Sequence, residues 1–229
     1  MIGFYNYTVV LTYLSFVSAI CGSVVATAGS GHPYIGGFFL LFCGFCDTFD
    51  GVVARSKKNR SEREKVFGAQ IDSLSDLTAF GVLPCSIAIG LLTSHDIPII
   101  PFPGVRKVDF FLVVFIAVLV FYALAALIRL AWFNMLDEEL RAKGESTKGF
   151  EGLPVTMAAL IFPFILMLNY LLPLYLGYVY LVVMVITGIL FICRFKIKKP
   201  GRRGRNILLA IGAVEFLLLL ISLLLRLKG

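Results

Sequence analysis

Five carboxylates stand inside or at the ends of strongly apolar stretches: Asp47, Asp50, Asp72, Asp76 and Glu215. A carboxylate at the centre of a bilayer costs about 2.5–3.5 kcal/mol even on a lenient insertion scale, so such residues normally face a polar cavity and serve a function. Asp47 and Asp50 are three residues apart, and Asp72 and Asp76 four apart. Those spacings put each pair on one face of a helix. Four anions converging at one depth repel one another, and divalent cations relieve that repulsion. Hard oxygen ligands suit Mg2+ or Mn2+, with Ca2+ also compatible. Gly51, Ala54 and Gly68 keep the helix surfaces beside the carboxylates low, which allows either close helix packing or a ligand lying against backbone. Arg55 follows directly and is suited to a phosphate. The competing reading pairs the carboxylates with Arg55, Arg60 or Arg63.

The elements that position these residues are membrane helices. Of the 229 residues 59% are hydrophobic and 15% charged, against about 45–50% and 25% in a soluble domain. The mean hydropathy is +0.92. Disorder is excluded, and so is an ordinary soluble domain, which could not hide this much apolar surface. The expected fold is all-α: a polytopic transmembrane bundle of six core spans, with a seventh apolar helix at the C-terminus. The spans are expected at residues 7–28, 34–54, 67–93, 108–133, 153–172, 174–193 and 207–225. The domain division that follows is a membrane domain over residues 1–205 and an additional hydrophobic helix over 206–229. The first apolar run has no basic lead-in and is expected to be a mature span rather than a cleaved leader.

Lys and Arg number 6, 3 and 7 in the segments 55–65, 134–152 and 194–205, against none or two in the loops between them. The positive-inside rule then places those three segments, and the aspartates beside the first of them, on the cytoplasmic side of the cell membrane. The net charge of +7 is read as topology and contact with anionic lipid headgroups rather than nucleic-acid binding. Cys43 and Cys46 are read as small helix residues, because no further Cys or His stands at zinc spacing. Glu215, mid-span in the last apolar run, is expected to face a dimer interface or another span.

Asp47-x-x-Asp50-Gly51-x-x-Ala54-Arg55 followed by Gly68-x-x-x-Asp72-x-x-x-Asp76 resembles the signature of the CDP-alcohol phosphatidyltransferases, integral membrane enzymes of phospholipid synthesis. The turn from Ser56 to Phe67 is longer than the family's usual one. Phe67 to Asp76, Phe80-Gly81-Val82-Leu83-Pro84, Arg129 to Asn134 and Phe150-Glu151-Gly152-Leu153-Pro154 resemble the phosphatidylserine synthase branch, although relatives usually carry Lys or Arg where Trp132 stands. The resemblance implies transfer of a phosphatidyl group from CDP-diacylglycerol to the hydroxyl of L-serine, with release of CMP. It implies that Asp47, Asp50, Asp72 and Asp76 hold two divalent ions and that Asp76 is the base. Asp50, Gly51, Ala54, Arg55 and Gly68 would cradle the CDP group. Arg129, Asn134, Gly152, Leu153 and Pro154 are the serine-site candidates. A homodimer is the family's usual state. The alternatives are another acceptor (glycerol phosphate, inositol phosphate or choline) and, from a different class, a divalent-cation transporter using the same aspartates.

Overall fold

The computed structural model describes residues 2–28, 32–93, 107–143, 149–171, 176–198 and 201–226. Residues 94–106 of the loop expected over 94–107, and residue Lys148 of the 134–152 segment, lie outside them. A short 3-10 turn, Tyr7–Val9, opens α1, Val10–Thr27; then come α2, Pro33–Ser56, and α3, Glu62–Asp76. A wide π-helical turn, Leu77–Val82, joins α3 to α4, Leu83–Thr93. The chain continues through α5 (Lys107–Ala142), β1 (Gly149–Glu151), a 3-10 turn (Val155–Met157), α6 (Ala158–Leu171), α7 (Leu176–Ile192), β2 (Lys196–Lys198) and α8 (Arg202–Arg226). Among the described residues five helices are long and apolar enough to cross a membrane: 7–27, 33–56, 62–92, 110–140 and 203–221. Two shorter apolar helices, Val155–Leu168 and Leu176–Ile192, complete the bundle. The all-α membrane architecture is as expected.

Two boundaries differ from expectation, both at the same end of the bundle. Asn134 does not close the fourth span, because α5 runs on to Ala142. At about 1.5 Å per residue this 36-residue helix is roughly 54 Å long and outreaches a 30 Å hydrocarbon core. The second difference is in the turn after Arg55. Most of Ser56–Phe67 is helix, and only residues 57–61 link α2 to α3. Ser61 caps α3 by accepting from the Glu64 amide at 3.2 Å, while the Glu64 carboxylate accepts from the Ser61 amide at 3.0 Å. This reciprocal Ser-x-x-Glu box satisfies two N-terminal donors and starts the helix early.

Pro84 gives the wide turn its physical cause. It has no N–H for the Phe80 carbonyl four residues back, and its ring crowds that carbonyl. The helix widens, and the Leu83 amide donates to Thr78 five residues behind. The Phe80 carbonyl accepts instead from the hydroxyl of fully buried Tyr122 on α5, at 2.7 Å. Tyr180 of α7 donates in the same way to the Pro84 carbonyl at 3.1 Å. With no water in an apolar interior, such side-chain donors replace the missing helix bonds.

Helices close up where side chains are absent. A Cβ on Gly90 would stand 2.2 Å from the Ala26 carbonyl oxygen, so α4 lies against α1 backbone to backbone. α2 packs against α1, α4, α6 and α8, whereas α3 packs on α1 and the wide turn. α2 and α3 therefore enclose a cleft at their linked ends. α8 is seated on α2 and α6, with Phe216 edge-on to Phe38 at 5.2 Å and Gly212 facing Leu160. β1 and β2 pair antiparallel, with Glu151 opposite Lys196, so the segments expected on one side of the membrane do meet.

Tyr122→Phe is expected to leave the Phe80 carbonyl unsatisfied in an apolar interior and to destabilise the bundle by about 1–3 kcal/mol. Unfolding in detergent micelles measures this, and an unchanged midpoint would show that the carbonyl has another donor.

Candidate functional site

The site is built at the linked ends of α2 and α3. Asp47 and Asp50 stand one turn apart on α2, and Asp72 and Asp76 on the last turns of α3, immediately before the wide turn. The four groups face one another. The carboxyls of Asp50 and Asp72 approach within hydrogen-bonding reach, and Asp76 lies within electrostatic range of Asp47, Asp50 and Asp72. Asp76 is 9% exposed; the other three are half-buried.

The competing ion-pair reading fails on the geometry. The ion pairs among the described residues are Lys57–Glu64 and Lys65–Glu62, and neither touches an aspartate. Arg60 instead donates to two backbone carbonyls, those of Glu64 at 3.1 Å and Ala54 at 3.5 Å. Four carboxylate oxygen donors with no cationic partner among the described residues are the chemistry of a hard divalent ion, and as a donor set they fit one. As the side chains stand, no three His, Cys, Asp or Glu among the described residues are gathered closely enough to hold an ion.

Two cavities flank the carboxylates. One, of about 670 Å³, is polar and basic. Asp50, Gly51, Ala54, Arg55, Gly68 and Asp72 all line it, which brings together every residue expected around the CDP group. Its far wall is the start of α1, through Thr8 and Thr12, and its rim carries Lys57, Lys58, Arg60 and Lys65. The small residues here are not helix-packing positions: a Cβ on Gly51 would meet the Arg55 guanidinium at 3.2 Å, and one on Gly68 the Arg60 guanidinium at 2.6 Å. Gly44, one turn before Asp47, shows the contrast, since its Cβ would meet Ala159 of α6 at 2.5 Å. The second cavity, of about 650 Å³, is apolar and lies between α2, α6 and α8. Asp47 and Thr48 form its polar end, and Leu160, Gly212 and Phe216 lie along it.

The serine-site candidates fall into two contacts. Arg129, buried within α5, donates from Nε to the Leu153 carbonyl at 3.2 Å, so two candidates 24 residues apart meet. Gly152 has φ +77°, and a Cβ there would stand 2.8 Å from the Cys193 carbonyl, so glycine is required. Its amide donates to Phe195 and that of Leu153 to Leu190, fixing this strap to the end of α7, and Pro154 leads into the next 3-10 turn. Asn134 is not a helix cap. It sits inside α5 and donates to the Ser73 hydroxyl at 2.7 Å, one residue from Asp72. Trp132 donates to Glu151 at 3.3 Å, and the Arg194 guanidinium lies 5.0 Å over its ring. A cation from the end of α7 thus stands beside this tryptophan. Glu215 is 5% exposed and turned into the protein, with Oε2 lacking a hydrogen-bond partner. Cys43 and Cys46 are buried free thiols.

Sequence reasoning missed the contribution of α1 and the 57–61 link to the basic cavity. Thr8 and Thr12, four apart just before and within the first apolar run, were the available signal for a polar helix face. The link carried a second signal in its Lys57-Lys58-x-Arg60 run.

The chain belongs to the CDP-alcohol phosphatidyltransferase family, whose model matches residues 5–225 and so extends through α8. Over 156 residues, 65% of this chain, it is 34% identical to a protein of Saccharomyces cerevisiae (strain ATCC 204508 / S288c) named CDP-diacylglycerol--serine O-phosphatidyltransferase. The matched stretch covers 48% of that relative, so the similarity spans about half the relative's length. No solved structure matches.

The Asn134–Ser73 bond ties α5 to the carboxylate-bearing helix. Asn134→Ala and Ser73→Ala are each expected to cost about 0.5–1.5 kcal/mol. The double variant should cost clearly less than their sum, because both remove the same bond. A double-mutant cycle on unfolding midpoints measures the coupling, and full additivity would show that the two side chains act independently.

Proposed function

We propose that this chain is a phosphatidylserine synthase, which transfers the phosphatidyl group of CDP-diacylglycerol to the hydroxyl of L-serine and releases CMP. The observation that carries the reading is that Asp50 and Asp72 line a basic cavity while Asp47, one turn along α2, lines an apolar one. A substrate with an anionic nucleotide head and two acyl tails needs both at once, with its reacting phosphorus at their junction. The named yeast relative and the family support this choice.

Each residue then has a task. The basic cavity receives the CDP group: Gly51, Ala54 and Gly68 let it lie against the helices, and Arg55 is a forked cation for phosphate oxygens. The groove between α2, α6 and α8 takes acyl chain, which is driven into place by burial of apolar surface. Asp47, Asp50, Asp72 and Asp76 would hold one or two divalent ions, Mg2+ or Mn2+. Bound there, such ions would neutralise the diphosphate and stabilise the departing CMP phosphate. Asp76, the most deeply buried of the four, takes the proton of the serine hydroxyl. The serine oxygen forms a bond to the phosphatidyl phosphorus, and the bond from that phosphorus to the CMP oxygen breaks, with CMP taking the electron pair. Serine carries a carboxylate that needs a cation, and Arg129, held against Leu153, supplies it; Asn134 and the Gly152–Leu153–Pro154 strap stand on the same side. The basic segments gathered at this end support, by the positive-inside rule, a site at the cytoplasmic face of the cell membrane.

Asp76→Asn should lower CMP release by about a hundredfold or more, the usual loss of a positioned base. Chelation should abolish activity and Mg2+ or Mn2+ restore it. A panel of serine, glycerol phosphate, inositol phosphate and choline with CDP-diacylglycerol should give CMP with serine alone. CMP release only with another acceptor would overturn the serine assignment, and metal flux in proteoliposomes without any transfer would overturn the enzyme reading. Independently, Gly212→Phe fills the apolar groove. It should raise KM for long-chain CDP-diacylglycerol several-fold while sparing a short-chain analogue.

A further inference from the structure

The link between α2 and α3 holds one side chain whose placement the reaction above does not explain. Arg60 lines the basic cavity together with Asp50, Gly51 and Ala54 of α2 and Gly68 and Asp72 of α3. Its guanidinium lies over Gly68 so closely that a Cβ there would meet Nη2 at 2.6 Å. Two of its hydrogen bonds reach across the cleft, from Nη2 to the Glu64 carbonyl of α3 and from Nη1 to the Ala54 carbonyl of α2, the latter at the 3.5 Å limit of a hydrogen bond. Its Nε is buried and has no partner. It makes no ion pair among the described residues, although Glu64 is its near neighbour. Glu64 is already engaged: its carboxylate accepts from Lys57 at 2.7 Å, from Asn6 at 2.8 Å and from the Ser61 amide. That network fixes the link and leaves the Arg60 guanidinium within electrostatic range of Glu64 but without an ion-pair contact to it.

We propose that Arg60 is a substrate-contacting residue that binds the diphosphate of the nucleoside diphosphate entering this cavity. The proposal rests on the reading of the cavity as the CDP seat. A guanidinium is a planar fork whose N–H groups match paired phosphate oxygens. A diphosphate lying on Gly51 and Gly68 meets Arg60 from the side of the link and Arg55 from the end of α2. The unpartnered Nε then gains an acceptor, and the weak bond to Ala54 is the one readily given up. Because Arg60 reaches from the link to both helices, bound diphosphate also fastens the two carboxylate-bearing helices together. Lysine at this position keeps the charge but cannot make the fork.

The test uses the full chain in micelles, with Arg60→Ala, Arg60→Lys and, as a charge control on the exposed face of α3, Arg63→Ala. Expected for Arg60→Ala are a rise of about tenfold or more in KM for CDP-diacylglycerol and in the inhibition constant of free CDP. The kcat should change by less than about threefold and KM for serine should not change, as for one lost charge-assisted contact to the nucleotide. Arg60→Lys should fall between, and Arg63→Ala should match wild type. Inorganic phosphate and anionic vesicles serve as competitors. If they lose potency with Arg60→Ala while CDP does not, the residue reads a phosphate or headgroup in general and the proposal is overturned. An Arg60→Ala protein with a lowered melting temperature but unchanged CDP constants also overturns it, since Arg60 would then be a clamp for the link alone. CDP-dependent stabilisation against unfolding is read in parallel. If wild type is stabilised by CDP and Arg60→Ala is not, the contact stands even if no transfer to serine occurs. Absence of CDP stabilisation in wild type overturns both this contact and the assignment of the cavity.

Discussion

Carboxylates held inside an apolar bundle repel one another and have lost part of the water that would shield them. Asp47, Asp50, Asp72 and Asp76 are in that position, and none has a cationic partner among the described residues. The surrounding structure can be understood as what holds two helices at the separation that keeps these groups face to face. α1 packs on both α2 and α3, α4 packs on α1 and α2, and the 57–61 link spans the cleft. The Glu64 network stiffens the link without spending its charges on the aspartates. The carboxylates are therefore left for a ligand that arrives with positive charge.

The wide turn after Asp76 is part of the same arrangement. Pro84 forces it, and Tyr122 and Tyr180 satisfy the carbonyls it frees. Those hydroxyls come from α5 and α7, so the helix that carries the candidate base is braced by the half of the protein that carries the serine-site candidates. The second brace is Asn134 on Ser73. Widened helical turns recur at functional sites, where they re-aim one helix face relative to the next. Here the faces before and after the turn serve different ends: carboxylates toward the cleft, apolar side chains toward the core.

α8 changes the meaning of the apolar side. It is seated on α2 and α6 and supplies a wall of the groove that ends at Asp47. A chain this apolar has no lack of greasy surface for a lipid, but most of it faces the bilayer. A groove beside the carboxylates differs, because a lipid seated in it, as proposed, would have its reacting phosphorus held at a fixed point.

The sequence by itself determined the class of fold, the number of apolar helices and the four aspartates. Those follow from local chemistry: hydropathy over about 20 residues decides what enters a bilayer, and charge inside such a stretch is too costly to be incidental. It also determined the pairing of Asp47 with Asp50 and of Asp72 with Asp76, since helical periodicity needs no tertiary information. The glycines at 51 and 68 were legible as small but not as to what covers them. Only the tertiary structure showed arginine guanidiniums there rather than helix backbone. Likewise Asn134 looked like the end of a span because hydropathy falls there, yet α5 continues for two more turns through the polar stretch that follows. The contacts of Arg129 with Leu153, of Asn134 with Ser73 and of Arg60 with both cleft helices were decided in three dimensions. Each joins segments, or the two ends of one turn, whose separation is set by helix packing, which no spacing along the chain encodes.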